Sequence, residues 1–377
     1  MLAVRIIAGY MMNISPDNKN SKIGCVIMAS GLGVRFGGNK LMAEFGGRPM
    51  VSWILDAAAR TFEEVVVVTR NPGVEELCNS RGIKVIFHDY PYRSDTIRIG
   101  VSSLCSDVQG VVFCLADQPF LSADTLRKII EKATTEPDSI WRTTCHGTIG
   151  SPTYFPKQFF DELCNLPQDK GGSFVCKTHT EDVCNFAIEN PLELRDIDTK
   201  ETYEELASLA CSLNVWSEFL GTGKKHLFIT GYRGAGKTTL INNLMPLIHS
   251  SSGLTSFAIK GVDVRLVNNS TKEEIVIGRF IPENKLANNK MTPDLETFAG
   301  QGVAFVNELI DSSDEWVTID EIGYLEEFSE AYQEALRRLL ATKRVVAVVR
   351  KDDLTFLNEL TGRSDAYVID LDVRCER

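Results

Sequence analysis

The stretch "HLFITGYRGAGKTTLIN" (residues 226–242) decides how the second half of this 377-residue chain folds. Gly231 to Thr238 fit the pattern G-x-x-x-x-G-K-[ST], between an apolar run that predicts a strand and a run that predicts a helix. Glycines let successive N–H groups converge on phosphate oxygens, and the helix N-terminus adds partial positive charge. We therefore expect a nucleoside triphosphate to bind here, with Lys237 on its β and γ phosphates and Thr238 on Mg²⁺. The predicted nucleotide-binding residues are Gly231, Gly234, Ala235, Gly236, Lys237, Thr238 and Thr239.

A second motif, "WVTIDEIG" (residues 316–323), predicts the acidic partner of this loop. Apolar residues carry Asp320 to the end of a predicted strand, where its carboxylate can join the shell of the magnesium ion. Glu321 follows directly and is predicted to orient or deprotonate an attacking water. The guanine-specific pattern Asn-Lys-x-Asp is missing, since "NNKM" (residues 288–291) lacks the aspartate, so a switch-type GTPase is disfavoured.

The segments "ITGYRGAGKTT" and "TIDEIGYLEEFSEAYQEAL" resemble a family of small bacterial and archaeal P-loop nucleoside triphosphatases over about residues 226–370. The resemblance implies hydrolysis of ATP or another nucleoside triphosphate, with Lys237 and Thr238 on phosphate and magnesium. It further implies Asp320 on the metal and Glu321 in hydrolysis. Arg233 and Arg279 are additional cations that could steady phosphate charge, although each also fits an ordinary surface position.

The first half of the chain alternates short apolar runs with helical patterns from residue 23 onward. Apolar strands separated by helices predict a parallel sheet covered on both faces. The alternation lapses around residues 211–225, where Gly221 and Gly223 occur. We therefore expect an α/β protein of two domains, a Rossmann-like doubly wound domain and a P-loop α/β domain. The expected boundaries are 1–22 for a disordered extension, 23–212 for the first domain, 213–225 for a linker and 226–377 for the second domain.

A glycine-rich stretch, "VIMASGLGVRFGGNKLM" (residues 26–42), follows the first predicted strand. Its spacing, G-x-G-x-x-x-G, is one residue too long for a dinucleotide fingerprint. A broad loop that wraps a triphosphate explains it better, because the small residues Ala29, Ser30 and Gly31 let the backbone approach a nucleotide. Arg35 and Lys40, on opposite arms of the loop, would neutralise the phosphates.

The segment "VVFCLADQPFLS" (residues 111–122) ends the fourth predicted strand with Asp117. Open parallel sheets bind ligands at the carboxyl ends of their strands, and Pro119 turns the chain so that the carboxylate is held there. We expect Asp117 to hold a metal ion that bridges phosphates.

These segments resemble the MobA-like nucleotidyltransferases of molybdenum cofactor maturation, the cytidylyltransferase branch in particular, over about residues 23–210. The matching stretches are "MASGLGVRFGGNKL", "SDTIRIG", "LADQPFLS", "GSPTYFPKQFFDEL", "QDKGG" and "DIDTKETYEEL". The resemblance implies attack by the terminal phosphate of molybdopterin on the α-phosphate of CTP, with release of pyrophosphate. It assigns Arg35 and Lys40 to the triphosphate, Asp117 to Mg²⁺ and Asp198 to a second metal-side position. The guanylyl branch has glycine where this chain has Ser30, and the Ser30 side chain favours CTP over GTP. Ser151 and Gln168 depart from the family pattern in the part of the site that is expected to bind the pterin.

Two other functions are compatible with the sequence. One is a sugar- or polyol-phosphate nucleotidyltransferase, although residues 150–210 leave little room for a larger acceptor domain. The other is a non-catalytic factor that delivers the cofactor, with the P-loop domain as an NTP-driven switch. In the molybdenum pathway, the expected recipient is a molybdenum hydroxylase or its maturation factor.

Composition excludes two classes of partner. A net charge of -11 disfavours a nucleic-acid-binding face, and no apolar run reaches the roughly 18 residues of a membrane span. The ten cysteines include no Cys-x-x-Cys pair, and "MLAVRIIAGYMM" is not followed by a signal-peptide cleavage site, so we expect a reduced cytoplasmic protein. Met11 or Met12 is an alternative start.

Overall fold

The computed structural model describes residues 22–245, 248, 252–280 and 291–375. Of the predicted extension over residues 1–22, all but Lys22 lies outside the described residues. The chain divides into two compact units, Met1–Cys211 and Ser212–Arg377.

The first unit is built on a seven-stranded sheet with the order β3-β2-β1-β4-β6-β5-β7. Its strands are β1 (Ile23–Ala29), β2 (Val65–Thr69), β3 (Lys84–Phe87), β4 (Gly110–Leu115), β5 (Ile140–Cys145), β6 (Thr148–Pro156) and β7 (Val183–Ala187). The first four strands are parallel, as the sequence predicts. β6 runs antiparallel to both β4 and β5, because a tight turn at His146 and Gly147, both at positive φ, reverses the chain after β5. The sheet is therefore mixed.

Helices cover both faces of this sheet. They are α1 (Val51–Thr61), α2 (Pro72–Ser80), α3 (Arg93–Ser102), α4 (Ala123–Thr135), α5 (Phe160–Cys164) and α6 (Ser173–Thr178); a further helix, α7 (Lys200–Gly221), begins in this unit. Alternate residues of β1 point to opposite faces, so Cys25 and Ile27 join the buried cluster under α1 and α4. Val26 joins the other cluster, under α3 and α5. These two cores confirm the doubly wound arrangement.

The helix α7 continues through the division between the units. The linker predicted over residues 213–225 contains the carboxyl-terminal part of this helix up to Gly221. The exact domain boundaries stay a prediction.

The second unit contains an eight-stranded sheet with the order β12-β11-β10-β9-β13-β14-β8-β15. Its strands are β8 (His226–Thr230), β9 (Gly253–Ile259), β10 (Asp263–Asn268), β11 (Glu274–Arg279), β12 (Thr292–Pro293), β13 (Trp316–Ile322), β14 (Arg344–Val349) and β15 (Ala366–Asp370). β9, β13, β14, β8 and β15 are parallel neighbours. β9 to β12 form an antiparallel meander at one side of the sheet.

The helices of the second unit are α8 (Lys237–Leu244), α9 (Leu295–Thr297), α10 (Val303–Asp311), α11 (Glu330–Thr342), α12 (Thr355–Thr361) and α13 (Leu371–Cys375). Apolar residues of α10 and α11 pack against the buried side of β13 and β14. Over the described part of the chain, no helix combines the length and apolar character that crossing a bilayer requires.

Candidate active sites

The loop after β1 is a compact double-armed turn. Gly33 has a φ of +60°, and a Cβ there would lie 2.7 Å from the carbonyl oxygen of Gly38 on the opposite arm. Glycine is therefore required, because a side chain would push the arms apart. Leu32 and Val34 at the tip are exposed, whereas Lys40, at the base of the loop, is buried.

The charged residues predicted on this loop meet the two predicted acidic residues. The Nζ atom of Lys40 lies 2.7 Å from Asp117 and 2.8 Å from Asp198, and Arg35 lies 2.8 Å from the second oxygen of Asp198. Lys40 is 6% exposed, whereas Asp117 and Asp198 are 22% and 30% exposed and face a cleft. Four residues from three distant parts of the sequence thus form one cluster.

The charges in this cluster shift one another's pKa values. The hydrogen bond from Lys40 lowers the pKa of Asp198. Burial by itself lowers the pKa of Lys40, but attraction to Asp117 and hydrogen bonds to both carboxylates outweigh it and raise that pKa overall. The pairing of Lys40 with Asp198 thus favours the charged form of both groups.

Asp196 and Gln118 also belong to this site, and sequence reasoning missed them. The Nε2 atom of Gln118 donates to Asp196 at 2.8 Å and to the carbonyl oxygen of Leu194, which ties the loop after β4 to residues 194–198. Burial, and then the charge of Asp117, raise the pKa of Asp196. The alternation Asp196-Ile197-Asp198, with Ile197 buried between two acids, was the available signal.

The cleft above this cluster has a volume of about 400 Å³. Ser30, Gly31, Arg35 and Asp117 line it, while Ala29 lies beneath it in the core. Such a volume falls within the range of small-molecule sites. The cleft stands at the carboxyl ends of β1 and β4, where an open sheet of this type binds ligands.

The side chain of Ser30 is held in place on the cleft wall. Its hydroxyl donates to the carbonyl oxygen of Val68 at 3.2 Å and lies 2.8 Å from Nε2 of His88. Burial lowers the pKa of His88, which keeps its ring neutral at physiological pH. The hydroxyl of Ser30 thus has a fixed position with its hydrogen already used.

The donor set at the base of the cleft suits a hard divalent cation. Mg²⁺ is usually held by one or two carboxylates together with substrate phosphates, and Asp117 and Asp198 are oxygen donors drawn together by one ammonium group. Among the residues that the structure describes, no group of three or more His, Cys, Asp or Glu side chains could hold a metal alone. Substrate oxygens would have to complete the shell.

In the second unit, Gly231–Lys237 connects β8 directly to α8, as the motif predicts. Gly236, at a φ of 87°, caps the amino terminus of α8 in the left-handed conformation. The Nζ atom of Lys237 donates to the carbonyl oxygens of Gly231 at 2.6 Å and Tyr232 at 2.8 Å. Lys237 therefore closes the loop on itself, and Thr238 and Thr239 lie exposed on the first turn of α8.

Asp320 reaches this loop from β13, at the same edge of the sheet. Burial and then the adjacent charge of Glu321 raise the pKa of Asp320, and Thr238 partly opposes that rise. The two predicted magnesium ligands, Thr238 and Asp320, are therefore near neighbours. Glu321 itself lies 3.7 Å from Arg350, a residue that sequence reasoning missed.

Three other residues of the second domain, Arg233, Arg279 and Tyr332, differ in where they lie relative to the phosphate loop. Arg233 is exposed on the phosphate loop. Arg279 ends β11, which β10, β9, β13 and β14 separate from β8, and it lies 3.9 Å from Asp294. Tyr332, which lies in the segment "TIDEIGYLEEFSEAYQEAL" that carries the family resemblance, is buried against Phe298 and serves the core. Of these, only Arg233 belongs to the phosphate loop.

Comparison with known proteins follows the same division. Residues 25–183 match the family model of the MobA-like NTP transferase domain, and residues 226–375 match the NTPase model. The first half is 22% identical over 190 residues to a probable molybdenum cofactor guanylyltransferase of Aquifex aeolicus, covering 49% of this chain and 90% of the relative. The second half is 26% identical over 150 residues to nucleoside-triphosphatase THEP1 of a Thermotoga species, covering 38% of this chain and 85% of the relative.

Other matches are partial. A bifunctional protein GlmU of Caldanaerobacter subterraneus is 28% identical over 148 residues, which is 37% of this chain and only 31% of that relative. Among solved structures, Rv0371c of Mycobacterium tuberculosis is 22% identical with a TM-score of 0.44, over 50% of this chain and 97% of that one.

Fold, sites and family models together define a nucleotide-processing enzyme with two α/β domains. More particularly, the chain joins a domain that matches the MobA-like NTP transferase model, over residues 25–183, to one that matches the NTPase model, over residues 226–375.

Proposed function

We propose that the first domain transfers a cytidylyl group from CTP to molybdopterin and releases pyrophosphate, and that the second domain hydrolyses ATP or another nucleoside triphosphate. The observation that carries this proposal is the cluster of Arg35, Lys40, Asp117 and Asp198, in which Lys40 is buried behind the other three residues, which line one cleft. Two cations and two acids at this point suit a triphosphate with its metal ion.

In the first domain, chemistry needs no protein nucleophile. A terminal phosphate oxygen of molybdopterin attacks the α-phosphorus of CTP in line, and the bond to the bridging oxygen breaks as pyrophosphate leaves. Lys40 and Arg35 stabilise the charge that develops on the leaving phosphates, which is the largest contribution such a site can make. Mg²⁺ held by Asp117 and Asp198 would supply further charge neutralisation on the phosphates.

The fixed hydroxyl of Ser30 supports CTP as the donor. A side chain at this position leaves less room beside the base, and its hydrogen bond to Val68 leaves it no proton to offer a guanine carbonyl. A smaller pyrimidine therefore fits better than guanine. Because one relative is named a guanylyltransferase, GTP is the alternative donor, and the experiment must compare GTP with CTP.

In the second domain, Lys237 would exchange the carbonyl oxygens of Gly231 and Tyr232 for β and γ phosphate oxygens. Thr238 and Asp320 would hold Mg²⁺, and Glu321 would orient the attacking water. We further propose that the product reaches a molybdenum hydroxylase or its maturation factor, with this hydrolysis coupled to delivery.

The test uses the full chain carrying Lys237→Ala, which removes hydrolysis at the P-loop. CTP, GTP, ATP and UTP are each incubated with Mg²⁺ and molybdopterin, and pyrophosphate is measured. Release with CTP, above release with GTP, is expected. Absence of pyrophosphate with all four nucleotides would refute the transferase and favour a delivery factor.

A further inference from the structure

A cavity of about 870 Å³ lies beside the phosphate loop of the second domain. Its walls come from the loop after β8, from β9, β10, β11 and the end of β13, and from the segments that follow β11, β13 and β14. The residues that matter below are Arg233, Phe257, Ala258, Lys260, Phe280, Glu321, Tyr324 and Arg350.

The cavity is far larger than hydrolysis requires. An attacking water takes about 30 Å³ of liquid volume, whereas cavities of roughly 300–1,000 Å³ hold small organic ligands. Arg233, a residue of the phosphate loop (residues 231–238), lines the cavity. Glu321 also lines it, and this residue follows the predicted magnesium ligand Asp320 in the sequence. The cavity therefore opens toward the place where the γ-phosphate would react.

Three cations, Arg233, Lys260 and Arg350, and three acids, Glu321, Glu326 and Asp352, line the cavity, and Glu326 is buried. Two of the cations lack an acidic partner among the described residues, and these two suit an anion. Arg233 and Lys260 are exposed and make no ion pair with any residue within the described ranges, while Arg350 lies 3.3 Å from Asp352 and 3.7 Å from Glu321. A water molecule that attacks the γ-phosphate is neutral and needs no cations on the cavity wall. A phosphate group that attacks it does need such cations, because two polyanions must approach each other.

The remaining wall is aromatic. Phe257 is 41% exposed, and Phe280 and Tyr324 are half-buried beside it. Such rings commonly stack on planar ligands.

We propose that this cavity is the acceptor site of a phosphotransferase and binds a nucleoside monophosphate. The proposal rests on the proposed binding of a nucleoside triphosphate at the phosphate loop. One oxygen of the acceptor's phosphate dianion forms a bond to the γ-phosphorus as the bond to the β–γ bridging oxygen breaks. The donor leaves as a nucleoside diphosphate with that electron pair, the acceptor becomes a second nucleoside diphosphate, and no proton has to be removed.

The probe is diadenosine pentaphosphate, which joins a donor and an acceptor nucleotide in one molecule. Titrations use the full chain carrying Lys40→Gln, so that the first domain contributes little nucleotide binding. The probe should bind at least tenfold more tightly than ATP. In a separate assay, AMP, CMP, GMP or UMP is incubated with ATP and Mg²⁺, and chromatography should show the corresponding nucleoside diphosphate.

Variants separate the acceptor from the donor site. Lys260→Ala should raise the KM of the monophosphate about tenfold, the size expected for one charge-assisted contact. Arg338→Ala, which removes an exposed cation of α11, should leave that KM within about twofold of the parent, a change too small for a lost charged contact. Ala258→Trp, at an exposed position, should lower transfer to the monophosphate.

Three outcomes overturn the proposal. The first is that the pentaphosphate binds no more tightly than ATP and no monophosphate is phosphorylated, although ATP is hydrolysed. The second is that Ala258→Trp abolishes ATP binding, which would put the base of the triphosphate itself in the cavity. Failure of ATP to bind at all would instead refute the proposed function of the phosphate loop, and the acceptor site with it.

Discussion

Replacement of Lys40 by glutamine tests the cluster of the first domain, because Lys40 contacts both acids at once. Its Nζ atom lies 2.7 Å from Asp117 and 2.8 Å from Asp198, and the side chain is 6% exposed. Glutamine keeps much of the length and the hydrogen-bonding capacity but removes the charge. The two carboxylates would then repel each other, and only Arg35, which pairs with Asp198, would remain to offset that repulsion.

The expected magnitudes differ for stability and for activity. Removing one partner of a buried ion pair costs about 3–5 kcal/mol, but both carboxylates are partly solvated, so we expect a loss of about 2 kcal/mol in unfolding free energy. Activity should fall further, because the transition state brings additional negative charge. Losing one preorganised donor of this kind lowers kcat by about 10²–10³.

The assay is pyrophosphate release from CTP with molybdopterin and Mg²⁺, in parallel with urea unfolding. Lys128→Gln is the matched control, because Lys128 is an exposed lysine of α4 that pairs with Asp124. The reasoning is refuted if Lys40→Gln retains activity within about threefold of the control, since a lost phosphate donor costs much more than that. Lys40 would then only hold the two loops together.

Three further predictions concern separate parts of the protein. Ser30→Gly should shift the ratio of kcat/KM for CTP over GTP toward GTP by about tenfold, the discrimination expected of one small group in a pocket; an unchanged ratio would show that Ser30 does not contact the base. Lys237→Ala should abolish phosphate release from ATP and leave pyrophosphate release by the first domain unchanged, measured in the same samples; a parallel loss of both would contradict two independent sites. Burial raises the pKa of Glu326 to about 7, so its folded pKa exceeds its unfolded one, and stability falls as pH rises from about 4.3 to about 7. Glu326→Gln should therefore be more stable than the parent by about 1–3 kcal/mol at pH 8, with no advantage near pH 4. The measurement is thermal unfolding of the second domain, whose transition is recognised because ATP and Mg²⁺ raise its midpoint. An equal difference in stability at both pH values would contradict this prediction.

The phosphate loop of the second domain could be predicted from the sequence because its chemistry is local. Gly231 to Thr238 are contiguous, and the motif predicts for its residues a role in curling the backbone or in contacting phosphate. Asp320 was predictable because it follows an apolar run close to the end of a strand, and the structure places it near Thr238.

The cluster of the first domain was predictable only in part. Strand-end position identified Asp117, since parallel strands bring their carboxyl ends to one edge. Gln118 and Asp196 were missed because their contact depends on how the loop after β4 lies against residues 194–198, which no local spacing encodes.

The cavity of the second domain could not be predicted from the sequence. Its wall joins residues from β9 to β11 with residues that follow β13 and β14, and single cations such as Lys260 and Arg350 give no periodic signal. The antiparallel course of β6 depends likewise on the turn at His146 and Gly147, which joins two strands whose sequence pattern is weak.

The most direct test of the central claim is mass spectrometry of the full chain after reaction with CTP, Mg²⁺ and molybdopterin. A pterin carrying a cytidylyl group, formed by the parent and lost in Lys40→Gln, is the predicted result. A reaction mixture in which the pterin stays unmodified with CTP and with GTP, although both nucleotides bind, would contradict the account.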